Sequence, residues 1–304
     1  MLVTTRRDVR LGNMLQQLPH LLAHARDTGR PVLHLAFADY ARYFEGFRNR
    51  LPWLPGGRRT PRMPQRVADA LCALLAGGLR AACKTGIAGR LPGTAVTRIG
   101  SEQVCDMTQW GGASAAAGRP RLRILWGGWQ TLHWPGYDAA LVEARKMTNL
   151  APRHEAAVAN RLAKAHGQAL RVGVHIRHGD FKSHRGGAFH FGYDEYAVVM
   201  RRCVKVFAPR SVHFLVCTDA TPDPAVFDGL DVSYPGGLPA EDLILLSRCD
   251  FIVGAAISSF ALSASLLGET PILRLTDPAC PIDLDSFSPI KQLPLDPSPF
   301  TRFA

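Results

Sequence analysis

Several large classes of protein are excluded by what this sequence has little of. Its longest apolar runs are about ten residues, as in Phe251–Phe260, against the ~20 needed to cross a bilayer. The opening Met-Leu-Val-Thr-Thr-Arg-Arg has no apolar core of the signal-peptide kind, so a soluble, cytoplasmic chain is expected. The seven cysteines (72, 83, 105, 203, 217, 249 and 280) include no C-x-x-C pair. That scatter supports neither a zinc site nor a disulfide framework, and buried, reduced thiols are expected. No repeat of fixed period and no low-complexity tract beyond short Ala/Gly patches is present. Hydrophobic residues make up 47% of the 304 and charged residues 20%, which excludes a disordered or fibrous chain.

What is present is distributed unevenly. The net charge of +11 lies in the first half: residues 1–150 hold 21 Lys/Arg against 9 Asp/Glu, and residues 151–304 hold 15 against 16. The stretch Arg48–Arg66 carries six arginines, four prolines, Trp53 and no acid, and reads as an irregular basic loop. A solvated face is the first reading of that loop, and peripheral contact with an anionic membrane the second. Nucleic acid comes last, because no groove-reading element and no RNP-type aromatic strand accompanies the loop.

Along the chain, Met14–Arg26 has apolar residues at helical spacing and stops at Thr28-Gly29-Arg30-Pro31. Val32–Phe37 reads as a strand, Gln65–Cys83 as a helix and Leu122–Trp126 as a strand. In the second half the alternation is regular. Strands are expected at Leu170–Ile176, Val212–Cys217, Phe251–Gly254 and Pro271–Leu275, and helices at Asp194–Phe207, Ala240–Cys249 and Phe260–Leu267. Such alternation predicts a parallel sheet wrapped by helices. The tail Pro278–Pro299 carries six prolines and is expected to run extended. Ligands of parallel sheets bind at the carboxyl ends of strands, which selects His175–Asp180, Thr218-Asp219 and Ala255–Phe260.

Three segments carry chemistry. Val172–Asp180 (VGVHIRHGD) places His175 and Arg177 on one face of an extended segment. An arginine there needs an anion, and its planar fork fits phosphate oxygens in two bonds; the competing reading is a pair with a carboxylate such as Asp180. Ser258-Ser259-Phe260 opens a helix after a buried strand and offers hydroxyls and N–H groups to a phosphate, or serves as a plain cap. Arg10-Leu11-Gly12-Asn13 leads into the first helix, as a ligand-approach site or an ordinary turn. Three other signals are set aside: Gly78–Thr85 approaches a P-loop without its second glycine, Asp283-Leu284-Asp285 resembles a D-x-D metal site without a strand end, and Trp126–Trp129 with His133 and Trp134 suggests core more than sugar stacking.

In order and spacing, RLGNM, VGVHIRHGD, FLVCTD and DLILLSRCDFIVG-x3-SSF resemble the fucosyltransferase superfamily of bacterial α1,2-, α1,6- and protein O-fucosyltransferases. The likeness covers about 170–275 and a local stretch around 9–37. It implies a GT-B-like enzyme of two Rossmann-like domains, at 1–165 on the acceptor side and 166–304 on the donor side, with a nucleotide-sugar cleft between them. It further implies inverting transfer of fucose from GDP-fucose to a glycan or glycolipid for the cell surface, with no metal and no cofactor. Carried over by residue, Arg177 would bind the β-phosphate and His175 support the pocket. Asp242 would take guanine, Ser258, Ser259 and Phe260 would line phosphate and base, and Gly12 and Asn13 would reach the donor from the other domain. Asp219, at a strand end, joins the donor set. The chain departs from the α1,6 pattern in one respect: Phe181–Tyr193 contains no acid. Asp180 is therefore the expected catalytic partner of Arg177, with His178 and His184, and Asp39 and Glu45 in the first domain, as further candidates for the base. An inactive nucleotide- or glycan-binding protein of the same fold, or a transferase for another GDP-sugar, remains the alternative.

Overall fold

The computed structural model describes residues 1–5, 10–54, 61–100, 104–110, 120–127, 131–164, 168–234 and 236–291. Its contacts divide the chain into two units, Met1–Ala151 and a second from Pro152 onward.

The first unit contains β1 (Leu2–Thr5), α1 (Leu11–Thr28), β2 (Val32–His34), α2 (Ala38–Ala41), β3 (Trp53–Leu54), α3 (Gln65–Lys84), α4 (Ile87–Arg90), β4 (Thr94–Ile99), β5 (Val104–Asp106), β6 (Leu122–Gly127), β7 (Thr131–His133) and α5 (Tyr137–Met147). Its main sheet runs β3-β2-β1-β6-β4, parallel except for β3 against β2; β5 and β7 pair separately. Helix α1 buries Met14, Leu15, Leu18, Leu21 and Leu22, the stripe that its spacing predicts, and ends at Gly29 with φ 63°, a left-handed cap that glycine adopts without strain. The strand expected at Val32–Phe37 stops at His34, because Leu35–Phe37 turns into a 3-10 helix. Gly78–Thr85 overlaps the end of α3 rather than forming a loop, which removes the P-loop signal. Residues 55–60, with Arg58 and Arg59, and Gly128 and Trp129 lie outside the described residues.

The second unit contains α6 (Pro152–Leu162), β8 (Leu170–Ile176), α7 (Tyr193–Val206), β9 (Val212–Thr218), β10 (Val232–Ser233), α8 (Pro239–Ser247), β11 (Phe251–Ala255), α9 (Ser259–Gly268), β12 (Ile272–Leu275) and β13 (Phe287–Ser288). The sheet order is β10-β9-β8-β11-β12-β13, with only β13 antiparallel. Val172, Val174, Phe214, Val216 and Val253 are buried in it, the β-branched and aromatic filling expected of strands covered on both faces. Both units are therefore Rossmann-like α/β layers, as expected. The division falls before α6, not at 165/166, because α6 is fastened to α8: Arg248 makes a two-bond pair with Glu155, at 2.6 and 2.8 Å, and Arg161 reaches Glu241 at 2.8 Å. Six of the seven cysteines are buried free thiols, and Cys280 is exposed. No helix of the described residues is long and apolar enough to cross a membrane.

Candidate functional site

In the second unit the order of strands reverses between β8 and β11: the chain steps outward from β8 to β9 and β10, then returns to lay β11 on the other side. The crevice at the carboxyl ends of that pair is where such sheets take ligands. His175–Asp180 leaves β8 there, and Ala256–Phe260 leaves β11 to start α9.

Three contacts bind these segments together. His175 is buried, with Nδ1 3.0 Å from the Ser258 hydroxyl, and its ring stacks on Phe260 at 4.7 Å and 18°. Burial, and secondarily the charge of Arg177, pull its pKa down to about 3, so the ring is neutral at pH 7. Ser258 also caps α9, accepting from the Ala261 N–H at 3.3 Å. This helix sits close against the sheet because Gly254 has no side chain: a Cβ there would come within 2.8 Å of the Ala261 Cβ.

Arg177 lies just beyond β8 with its side chain only 11% exposed. Its Nε and Nη2 donate to Asp180 Oδ1 and Oδ2 at 2.7 and 2.8 Å, and the guanidinium lies over the Phe181 ring at 5.1 Å. The carboxylate occupies the two-bond fork that a phosphate would use. Asp219, at the end of β9, accepts from the backbone N–H groups of His178 and Gly179 at 2.9 and 3.1 Å. A Cβ on residue 179 would meet Asp219 Oδ2 at 2.9 Å, so glycine is what lets the carboxylate grip the turn. In this arrangement Asp219 positions the Arg177 turn.

Asp242 lies in the first turn of α8. Its Oδ1 accepts from Gly237 N–H at 3.1 Å and faces Arg161 at 3.6 Å. Burial raises its pKa to about 6, against the pull of Arg161, leaving it ionised at neutral pH. Its neighbour Glu241 is clamped between His154 at 2.7 Å and Arg161 at 2.8 Å. Burial would raise Glu241, but those bonds prevail and its pKa is lowered.

Several other residues named from the sequence take local roles. Gly12 and Asn13 belong to the first unit, in the first turn of α1, where Asn13 Oδ1 is a buried acceptor without a hydrogen-bond partner among the described residues. His178 donates from Nε2 to the Phe191 carbonyl at 3.0 Å, His184 stacks on Phe181, and Glu45 faces Arg48 at 3.9 Å. Asp283 caps a short turn by accepting from Ser286, which gives the D-x-D segment a structural role. Sequence reading missed His154 and Arg161, which hold the first turn of α8 through Glu241 and Asp242, and Glu155, which holds its far end through Arg248. No signal in their own segment marks them, because their partners lie about eighty residues or more away.

No protein-family model matches the chain, and no curated protein sequence matches it. Solved structures do. A mutant of Arabidopsis thaliana FUT1 in complex with GDP superposes with a TM-score of 0.52 at 15% identity, covering 95% of this chain and 73% of that one. Fucosyltransferase NodZ from Bradyrhizobium gives 0.50 at 18% identity, covering 90% and 95%. NodZ α1,6-fucosyltransferase co-crystallised with GDP gives 0.50 at 15%, covering 90% and 94%. The chain has the fold of these fucosyltransferases. The likeness is one of fold, and the candidate site lies in the Rossmann-like second unit of that fold.

Proposed function

We propose that the chain is a glycosyltransferase that moves fucose from GDP-fucose to a hydroxyl of a glycan or glycolipid, with inversion and without metal or cofactor. The observation that carries this reading is the Arg177 fork. It is a nearly buried guanidinium at the strand-order reversal of a Rossmann-like sheet, in a fold shared with fucosyltransferases whose structures contain GDP.

In this reading the β-phosphate takes the place of Asp180 on Nε and Nη2 of Arg177. As the fucose C1–O bond breaks with oxocarbenium character, negative charge grows on the departing diphosphate. Arg177 and the amides opening α9 at Ser259 and Phe260 are already aimed and meet that charge without reorganising. Neutral His175, braced by Ser258 and Phe260, forms a wall beside Arg177 that adds no competing cation. Asp242 offers its Oδ2 to the N–H groups of guanine. Asp180, once released from Arg177, takes the proton of the attacking hydroxyl. The attacking oxygen bonds to C1, GDP leaves with the electron pair, and the configuration at C1 inverts. A cytoplasmic location belongs to the same reading.

A second reading, nucleotide binding without turnover, is favoured by one feature: the only acid between Arg177 and Tyr193 is Asp180, and it is engaged. Calorimetric titration with GDP, UDP and ADP tests the donor site in wild type and Arg177→Ala. GDP-selective binding that the variant loses supports the site, and no preference for GDP overturns it. Release of GDP from GDP-fucose then separates the transferase from the binder.

A further inference from the structure

Helix α3 is built the wrong way round for a helix that only covers a sheet. A surface helix ordinarily turns its large apolar residues inward. Here the buried residues are small, Ala68, Cys72, Ala76 and Cys83, and of the large ones only Leu79 packs inward. Leu74 is 73% exposed, Val67 46%, Leu71 39% and Leu75 37%. These recur at the i, i+4, i+7 and i+8 spacing of one helical face. Ile87 on α4 and Leu91 just after it are exposed as well, at 53% and 52%.

The charges around this face have one sign. Residues 70–79 contain no charged side chain, and residues 61–92 hold five cations (Arg62, Arg66, Arg80, Lys84 and Arg90) against one acid. That acid, Asp69, accepts a bond from Gln65 at 2.8 Å. Arg66 and Lys84 are eighteen residues apart, which is five turns of 3.6 residues, so they flank the apolar face on one edge at its two ends, about a quarter turn from Leu74.

We infer that the exposed face of α3 is a docking surface for an anionic lipid bilayer, on which the helix lies with its leucines in the acyl boundary and its terminal cations at the headgroup phosphates. A second copy of this chain fits the surface less well. Paired in either direction, two α3 helices would set cation against cation at both ends, whereas an anionic headgroup layer meets every one of them with opposite charge. The inference does not depend on the GDP-fucose reading, and it shifts the membrane contact from the basic loop at 48–66 to a helix.

The test is co-sedimentation of the full chain with vesicles of phosphatidylcholine alone and of phosphatidylcholine mixed with phosphatidylglycerol, at ~0.1 M salt. Binding to the mixed vesicles is expected, weakened at least ~10-fold on the neutral ones. The Leu71→Gln/Leu74→Gln variant should lose binding by at least ~10-fold with unchanged circular dichroism and Tm, since both residues are exposed. Arg66→Gln/Lys84→Gln should erase the preference for anionic lipid while leaving the fold intact. Absence of wild-type binding overturns the inference. So does a dimer in analytical ultracentrifugation that Leu74→Gln dissociates while vesicles stay unbound, since the face would then belong to a second copy. GDP titration of the same variants should match wild type, which keeps the outcome separate from that of the donor site.

Discussion

The two units share a sheet plan and treat their buried polar groups in opposite ways. The second unit pairs them: His154–Glu241–Arg161–Asp242 and Arg248–Glu155 tie α6 to α8, and Arg177–Asp180 closes the turn after β8. The first unit keeps them neutral. His20, His24 and His34 are buried in α1 and β2, and burial pulls them down to about 4, 4 and 3. Trp134 N–H donates to the Nδ1 of His20, and Thr4 bonds His34, contacts that need no charge. The second unit thus leans mainly on paired charges, with His175 as its neutral exception, and the first on charges staying absent. The pairing lies where a charged ligand would be handled.

The largest consequence is in acid. Each of these histidines has a folded-state pKa depressed below its unfolded value of 6.5, so its contribution to stability is complete above pH 6.5. That contribution falls away as the pH drops toward 4, because the unfolded chain takes up protons that the folded one refuses. For a shift of this size the effect is roughly 3 kcal/mol per histidine, comparable in sum to the whole stability of a domain. His175 alone adds a similar term to the second unit. All five tryptophans (53, 110, 126, 129 and 134) lie in the first unit. Tryptophan emission should therefore change between about pH 6 and 4 ahead of the far-UV circular dichroism signal. Coincident transitions would erase the contrast.

Breaking the pairing comes next in size. Arg161→Met leaves Glu241 and Asp242 without their shared cation and should lower stability by ~3 kcal/mol. The loss should appear in circular dichroism melts while tryptophan emission moves little at the same temperature. Arg177→Ala should weaken GDP by ~10- to 100-fold with Tm nearly unchanged, and Arg177→Lys should recover only part of that, since an ammonium makes no two-bond fork. Asp242 gives a smaller and graded effect. With its pKa at about 6 it gains a proton as the pH falls through 6, so the preference for GDP over ADP should shrink by a few fold between pH 7.5 and ~5, and Asp242→Asn should remove that pH dependence. The smallest expected change is at Asp180. Asp180→Asn frees the fork and should tighten GDP by a few fold while slowing fucose transfer. An unchanged affinity would mean that the carboxylate does not compete with the ligand.

The same contrast accounts for what could be read in the sequence. Buried parallel strands such as Leu170–Ile176 and Val212–Thr218 are dominated by apolar residues, many of them β-branched, and stand out at once. The first unit's strands do not. β1 is four residues followed by arginines, β2 is three residues, and β4 keeps most of its residues partly exposed. The spacing found α3, but no rule of periodicity says that its leucines would face outward, since the pattern alone assigns them to a core. In the site, adjacency in sequence was enough for His175 and Arg177, and the strand-end rule brought in Ser258 and Phe260, which the fold then stacked and bonded to His175. The grip of Asp219 on the Arg177 turn, and the clamp of α6 on α8, depend on side chains 40 to 93 positions apart, which only the folded chain brings together.

The salt link between Arg177 and Asp180 also bears on which anions could be admitted. An arginine without a partner would collect any small anion at hand. A carboxylate three residues away, already seated on both donors, sets a threshold that an incoming group must exceed. Inorganic phosphate or sulfate has nothing beyond the fork with which to exceed it. In the proposed binding mode a nucleoside diphosphate would bring a base for Asp242 and a second phosphate for the start of α9, and so spread the cost of opening the link over several contacts. On the proposed donor reading, the internal ion pair would act as a sieve, rejecting ligands by what they lack elsewhere in the crevice rather than by their fit to the arginine itself.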